Sequence, residues 1–213
     1  MIESIPFHPA RPAVPLILLG VLKGYVKNPL SVLASTFFNM RRIKKRLPGE
    51  FPADFTALTA LVASLYEVLK MQMDKERALA VVTASILPAG LATQLGNFRF
   101  VEETRSFANL IANQQRTNRE GPTRLNTMEI MQADESNYEF RVHRCMFMEV
   151  FSGLGVPELT RVICAIDNAI FNTYLPEEIL FHRNGIGHRI ADHAPFCEFH
   201  CTHRVSESVI VGG

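Results

Sequence analysis

Apolar residues along the first half of the chain recur at helical spacing. From Ala53 to Met73 they fall at Phe55, Leu58, Leu61, Val62, Leu65, Leu69 and Met73, a period near 3.6, and Pro52 suits a first helical turn. This predicts a helix. Asp74 can cap a second one through Leu87, with Pro88 and Gly90 as its expected end, and Glu102 to Gln115 predicts a third. Before them, Leu30 to Leu47 reads as a helix whose last turn holds Arg41, Arg42, Lys44, Lys45 and Arg46, where cations complement the helix dipole. Past Gly121 and Pro122 the period changes to two. Met128 and Ile130, then Tyr138, Phe140 and Val142, alternate with polar residues around an Asp134 to Asn137 turn, as in a half-buried hairpin. Phe147, Val150, Phe151 and Leu154 predict a short helix ended by Gly155, and Pro157 opens another with Leu159, Val162, Ile163, Ile166 and Ile170 on one stripe. Short strands are expected at Ile179 to Phe181 and Phe196 to His203, joined by a histidine-rich loop with Gly185 and Gly187.

Helices, hairpin, two helices, hairpin: this order implies an α+β fold, with an N-terminal helical layer packed on a small antiparallel sheet. We divide the chain into a helical region, 1–124, and an α+β region, 125–213, and expect one compact unit. The most apolar early run, Val14 to Val21, is shorter than the roughly 20 residues that span a bilayer, and its flanking Pro12, Pro15 and Lys23 do not suit a secretory signal. A cytoplasmic protein is the expectation. Four cysteines without dense regular spacing fit reduced thiols better than a disulfide framework.

The net charge of +1 hides an asymmetry. Between Ile5 and Gly49 there is no Asp or Glu but eight Lys and Arg residues, which leaves about −7 for the remainder. No nucleic-acid motif accompanies this stretch, so nucleic acid is not an expected partner. A helical scaffold, or a peripheral membrane or protein contact, is the reading it supports. All four cysteines and six of the seven histidines fall at or after position 143.

Candidate chemistry lies in that late region. Cys145 stands where the second strand becomes a helix, with Glu149 at i+4 away from the apolar stripe. Cys164 and Asp167 are i,i+3 neighbours on the edge of the following helix. Alternation in the last strand puts Cys197, Phe199, Cys201 and His203 on one face. A zinc site using Cys164 and Cys197 stays open beside the simpler account of buried free thiols, since there is no CxxC pair and structural zinc sites usually draw close-spaced ligand pairs from turns, whereas Cys197 and Cys201 are expected on a strand. The loop from His182 to His193 joins cations (Arg183, Arg189), bases (His188, His193) and flexible glycines. No phosphate-binding glycine loop, zinc-protease helix motif or serine-hydrolase elbow occurs.

Tyr138-Glu-Phe-Arg-Val-His-Arg-Cys145, then Met148-Glu149, Gly155-Val-Pro157-Glu158-Leu159, Cys164 with Asp167, and Cys197-Glu198-Phe199 resemble, in order and spacing, the L-2-amino-thiazoline-4-carboxylic acid hydrolase family. The Tyr66 to Leu69 region and Arg105-Ser106-Phe107 are also similar, so the resemblance covers most of the chain beyond about residue 50. One departure falls in the expected site loop. Where the family tends to carry a Thr-x-x-x-Gly segment before its closing C-D-F, this chain has Arg189 and His193, and Glu198 replaces the Asp. The closing elements also loosely resemble vinyl-reductase-like ligand-binding domains. The first resemblance implies hydrolytic opening of a cyclic thio-amidine; no cofactor is expected, with zinc kept possible. Water adds to the carbon between nitrogen and sulfur, and C–S cleavage leaves an N-carbamoyl cysteine. Such chemistry needs a base, a proton for the departing sulfur and a cation for the substrate carboxylate. We expect the base to be Asp167 or His188 and the carboxylate to meet Arg183, with Glu149 and His193 as further substrate contacts. Cys145 or Cys164 is the expected nucleophile or metal ligand. A non-catalytic small-ligand-binding module, or a divergent tailoring enzyme acting on another small acid, are the alternatives.

Overall fold

The computed structural model describes residues 13–99, 105–183 and 187–204. Among these residues, seven helices and a four-stranded antiparallel sheet make the α+β fold. The helices are α1 (Val14–Leu22), α2 (Pro29–Arg46), α3 (Ala53–Lys70), α4 (Lys75–Arg99), α5 (Phe107–Glu120), α6 (Met146–Gly153) and α7 (Thr160–Tyr174). The strands are β1 (Thr127–Ala133), β2 (Asn137–Arg144), β3 (Ile179–His182) and β4 (Cys197–His203), in the spatial order β1-β2-β4-β3.

The signals at Asp74 and Gly155 act as expected. Asp74 Oδ1 accepts from the Arg77 amide to start α4. Gly155, at φ +76°, closes α6 in the left-handed conformation that glycine adopts without strain. The expected helix start at Glu102 lies outside the described residues; α5 runs from Phe107 to Glu120, past the expected Gln115, and Ser106 Oγ caps it by accepting from the Asn109 amide. One boundary expectation is overturned. Pro88 and Gly90 do not end α4, which continues to Arg99; Pro88 is exposed and forfeits one intrahelical hydrogen bond without breaking the helix. The early apolar run forms α1 and buries Leu18 and Leu22.

Gly90 has a different use. A Cβ built there would stand 2.5, 2.8 and 2.9 Å from Cδ1, Cγ1 and Cγ2 of Ile166, so the missing side chain is what lets α7 lie against α4. The stretch Lys75–Gly96 is long and apolar enough by length and composition to cross a membrane. About a third of it is buried (33%), through residues that include Ala78, Val81, Val82, Ile86 and Ala89, and α4 packs on α1, α3 and α7.

Two apolar clusters meet along α7. One joins α1 to α4 with α6 and the first half of α7, through Val162, Ile163 and Ile166. The other joins α5 and the inner sheet face to the second half of α7, through Ile170, Phe171 and Tyr174. Cys145 touches both. On the sheet, Tyr138, Phe140 and Val142 pair in register with Cys201, Phe199 and Cys197, and Phe140 stacks on Phe199 at 4.3 Å between ring centres. The expected alternation holds in β2 and β4 but not in β1. There a register irregularity between Ile130 and Gln132 leaves Ile130 and Met131 about half exposed on an edge strand.

The Gly90 crossing predicts the effect of Gly90→Ala. Higher helix propensity gains up to about 1 kcal/mol, but overpacking against a branched side chain costs about 1–3 kcal/mol. Urea unfolding should show net destabilisation, and Gly90→Ala combined with Ile166→Ala should be less destabilised than the sum of the two single changes.

Candidate active site

Three elements converge where the clusters meet. The β2–α6 junction supplies Cys145, the edge of α7 supplies Cys164 and Asp167, and the start of β4 supplies Cys197. Negative charge on Cys197 or Asp167 would raise the Cys145 thiol, and charge on Asp167, Cys197 or Cys145 would raise Cys164. These groups therefore share one environment. Cys201, on the same face of β4, is raised by burial alone.

Burial dominates the electrostatics. It pushes Cys145 up to about 11 against the opposing backbone amides of Met148 and Phe147, and Cys164 up to about 12 against the attraction of Arg183. Both are neutral thiols near pH 7. Asp167 is raised to about 6, because protein packed around its carboxyl disfavours the anion more than Arg183 favours it. Its side chain nonetheless keeps 31% of its surface accessible, so a proton can reach it.

Arg183, just past β3, is the cation beside these groups. Its side chain is only 6% exposed, its guanidinium lies 4.0 Å over the Phe199 ring, and Nη1 donates to Asn168 Oδ1 at 3.2 Å. Nη1 also stands 3.9 Å from Asp167 Oδ2, a long and weak ion pair. The Nε–H is buried with no hydrogen-bond partner among the described residues. A buried guanidinium donor is costly to leave unpaired, so this atom is a ready position for an anionic ligand oxygen.

The loop into β4 is pinned by a residue the pattern reading did not single out. Asp192, whose side chain is buried, accepts from Arg189 Nε at 2.6 Å, Arg161 Nε at 3.1 Å and the Gly187 amide at 3.3 Å. Arg161 is on α7, so the loop is tied to the helix that carries Asp167. The Ile190 amide donates to Cys197 Sγ at 3.2 Å. The Arg189 and Asp192 pair at i,i+3 was the available signal. Asn168, which holds Arg183, left none, because a single asparagine on a helix edge is commonplace.

The remaining sequence candidates stand apart. Glu149 is turned outward and held by Arg144 at 2.5 and 2.7 Å. His188 and His193 are exposed, and no hydrogen bond or ion pair holds either ring among the described residues. His193 has φ +69°, an uncommon left-handed conformation for a non-glycine residue. His182 and His200 stack on the opposite face of the sheet, and His203 stacks on Phe107. Among the described residues, no three of His, Cys, Asp and Glu are arranged to hold a metal ion. Residues 184–186 of the loop lie outside the described set. A surface groove of about 760 Å³ runs between α5 and the β1–β2 turn, lined by Phe107, Ile111, Asp134, Glu178 and His203 among others. None of the thiols, Asp167 or Arg183 is among its lining residues.

The L-2-amino-thiazoline-4-carboxylic acid hydrolase family model matches residues 55–201, well over half of the chain, and the chain belongs to that family. It is hydrolase-like at this level. No curated protein matches the sequence significantly. Among solved structures, the Fe(II) unliganded H-NOX protein from K. algicida and a mutant of it align at 8% identity, covering 91% of this chain and 96% of theirs, with a TM-score of 0.37. A likeness that weak carries no argument.

The raised thiols predict slow alkylation. At neutral pH the thiolate fraction of Cys145 should be about a hundredth of that of an ordinary thiol, given a shift from 9.0 to about 11. Iodoacetamide labelling followed by peptide mass analysis should show Cys145 lagging well behind a model thiol at pH 7 and speeding up toward pH 11. Labelling at the model-thiol rate would contradict the assignment.

Proposed function

We propose that the protein opens a small carboxylated heterocycle, of the kind represented by 2-aminothiazoline-4-carboxylate, by adding water to the carbon between nitrogen and sulfur. The observation that carries this reading is the pairing of Arg183, buried with an unpartnered Nε–H, with Asp167, a carboxyl raised to about 6. Arg183 binds the substrate carboxylate, so the ring lies against Asp167. As the anion, Asp167 accepts a proton from the attacking water while oxygen bonds to the ring carbon, the C=N π pair moves onto nitrogen, and Asp167 passes the proton there. The hydroxyl then gives its proton to Asp167 as the C=O bond forms and the C–S bond breaks; the electron pair of that bond stays on sulfur, and Asp167 delivers the proton to it. The products are a carbamoyl nitrogen and a free thiol, with one water proton on each.

A pKa near 6 suits both halves of that cycle: the group is mostly ionised at neutral pH, yet it is a stronger base than an ordinary carboxylate. Cys145 and Cys164 enter as neutral thiols that keep the surroundings of Asp167 apolar. This role follows from their raised pKa values, which set them against a nucleophilic step at neutral pH.

Activity requires the ionised form of Asp167, whose pKa is raised, so kcat/KM should fall as pH drops through about 6 and level off above it. Chromatography of the ring-opened product from 2-aminothiazoline-4-carboxylate checks this. Asp167→Asn should lose at least ~100-fold in kcat, and Arg183→Gln should act chiefly on KM. Full turnover in Asp167→Asn and Cys145→Ala alike would refute the site. Saturable binding with no turnover of any heterocycle would favour a non-catalytic binding module.

A further inference from the structure

The acid-free N-terminal stretch plays no part in this chemistry, and the structure shows where its side chains go. Helix α2 buries Val32, Leu33, Thr36 and Ile43 against the helical core. The opposite face carries Leu30, Ala34, Phe37, Phe38, Arg41, Lys44 and Lys45, which lie within about a third of a turn of its midline at 100° per residue. Leu30 is 68% and Phe38 80% exposed. A water-facing helix surface would ordinarily be polar; this one is apolar in its first half and cationic in its second, with no acidic residue.

Neighbouring elements extend the surface. Met71, at the end of α3, shares a shallow groove with Phe38 and is 76% exposed. Leu30 shares another with Leu19 and Lys23 of the α1 region. Leu16 and Tyr25 are exposed as well. The helix is held rigidly in this pose, since Glu67 on α3 accepts from Asn39, Arg42 and Arg46. Lys23, Lys27, Arg41, Lys44 and Lys45 have no carboxylate partner among the described residues. Their charge is available to an outside anion.

We propose that this face of α2, with the exposed ends of α1 and α3, docks on an anionic lipid bilayer. Leu30, Phe37, Phe38 and Met71 enter the headgroup boundary, and Arg41, Lys44 and Lys45 meet lipid phosphates and carboxylates. Charge complementarity selects this occupant. An apolar patch fringed by unpaired cations matches an interface that is hydrocarbon at depth and negative at its surface. A nucleic acid would satisfy the cations but leave Leu30, Phe38 and Met71 against water and phosphate.

The chain contains no tryptophan, so Phe38→Trp gives a single reporter on the face itself. At about 0.1 M salt, its emission should shift to the blue on adding phosphatidylcholine vesicles with about a quarter phosphatidylserine, and should stay unchanged with phosphatidylcholine alone. Arg41→Glu with Lys45→Glu should weaken vesicle partitioning at least ~10-fold, and so should Leu30→Ser with Phe37→Ser. Both pairs are exposed, and circular dichroism with thermal melting should confirm that they fold as the parent does. No shift with anionic vesicles, or binding indifferent to both pairs, would overturn the proposal. A blue shift that grows with protein concentration in the absence of vesicles would overturn it too, in favour of contact between copies of the chain.

Discussion

The structure depends on how closely α7 lies against α4. A glycine at position 90 leaves room for Ile166 where any side chain would collide with three of its atoms. From that crossing α7 runs through both apolar clusters, with Ile163 and Ile166 in the helical one and Ile170 and Phe171 in the sheet one. The candidate chemistry sits on the same helix, since Cys164 and Asp167 flank Ile166. Interiors pack at near-crystalline density, so a displacement at the crossing is transmitted along the helix rather than absorbed. Packing and site are therefore one problem.

Desolvation is the second constraint. The thiols of Cys145 and Cys164 and the carboxyl of Asp167, gathered around a junction of two cores, are pushed toward their neutral forms, and Arg183 is the cation that opposes this at Cys164 and Asp167. Arginine suits the place because its planar cation can lie on the Phe199 ring while its edge donors remain directed. A lysine would keep the charge and lose both the stacking and the fork. The loop that brings Cys197 to the junction is fixed by Asp192, which draws together Arg189 of its own loop and Arg161 of α7.

Much of this was legible in the sequence where one periodicity dominates. The stripe of α3, the cap at Asp74 and the alternation of β2 and β4 all follow from local spacing. Elements whose fate depends on distant packing were not legible. Pro88 and Gly90 carry a local stop signal, and contacts from α7 override it. β1 has the alternation of a half-buried strand, yet it lies at a sheet edge with a register irregularity at Ile130, which is half exposed. Spacing put Cys145 and Glu149 on one side of α6, but Arg144 claims the carboxylate at the surface. The pairing of Cys164 with Asp167 followed from i,i+3 geometry. The approach of Arg183 and Cys197 to that pair required the sheet to be assembled. The histidine-rich loop drew attention by composition, whereas its anchor is Asp192.

The central claim is that a substrate carboxylate belongs on the buried edge of Arg183 with the reacting carbon beside residue 167. A crystal structure of Asp167→Asn soaked with 2-aminothiazoline-4-carboxylate tests it most directly. A carboxylate oxygen should accept from Arg183 Nε, with the ring carbon between nitrogen and sulfur facing the substituted side chain near Cys145 and Cys164. Ligand bound instead in the groove between α5 and the β1–β2 turn, with Arg183 Nε still unpaired, would contradict it.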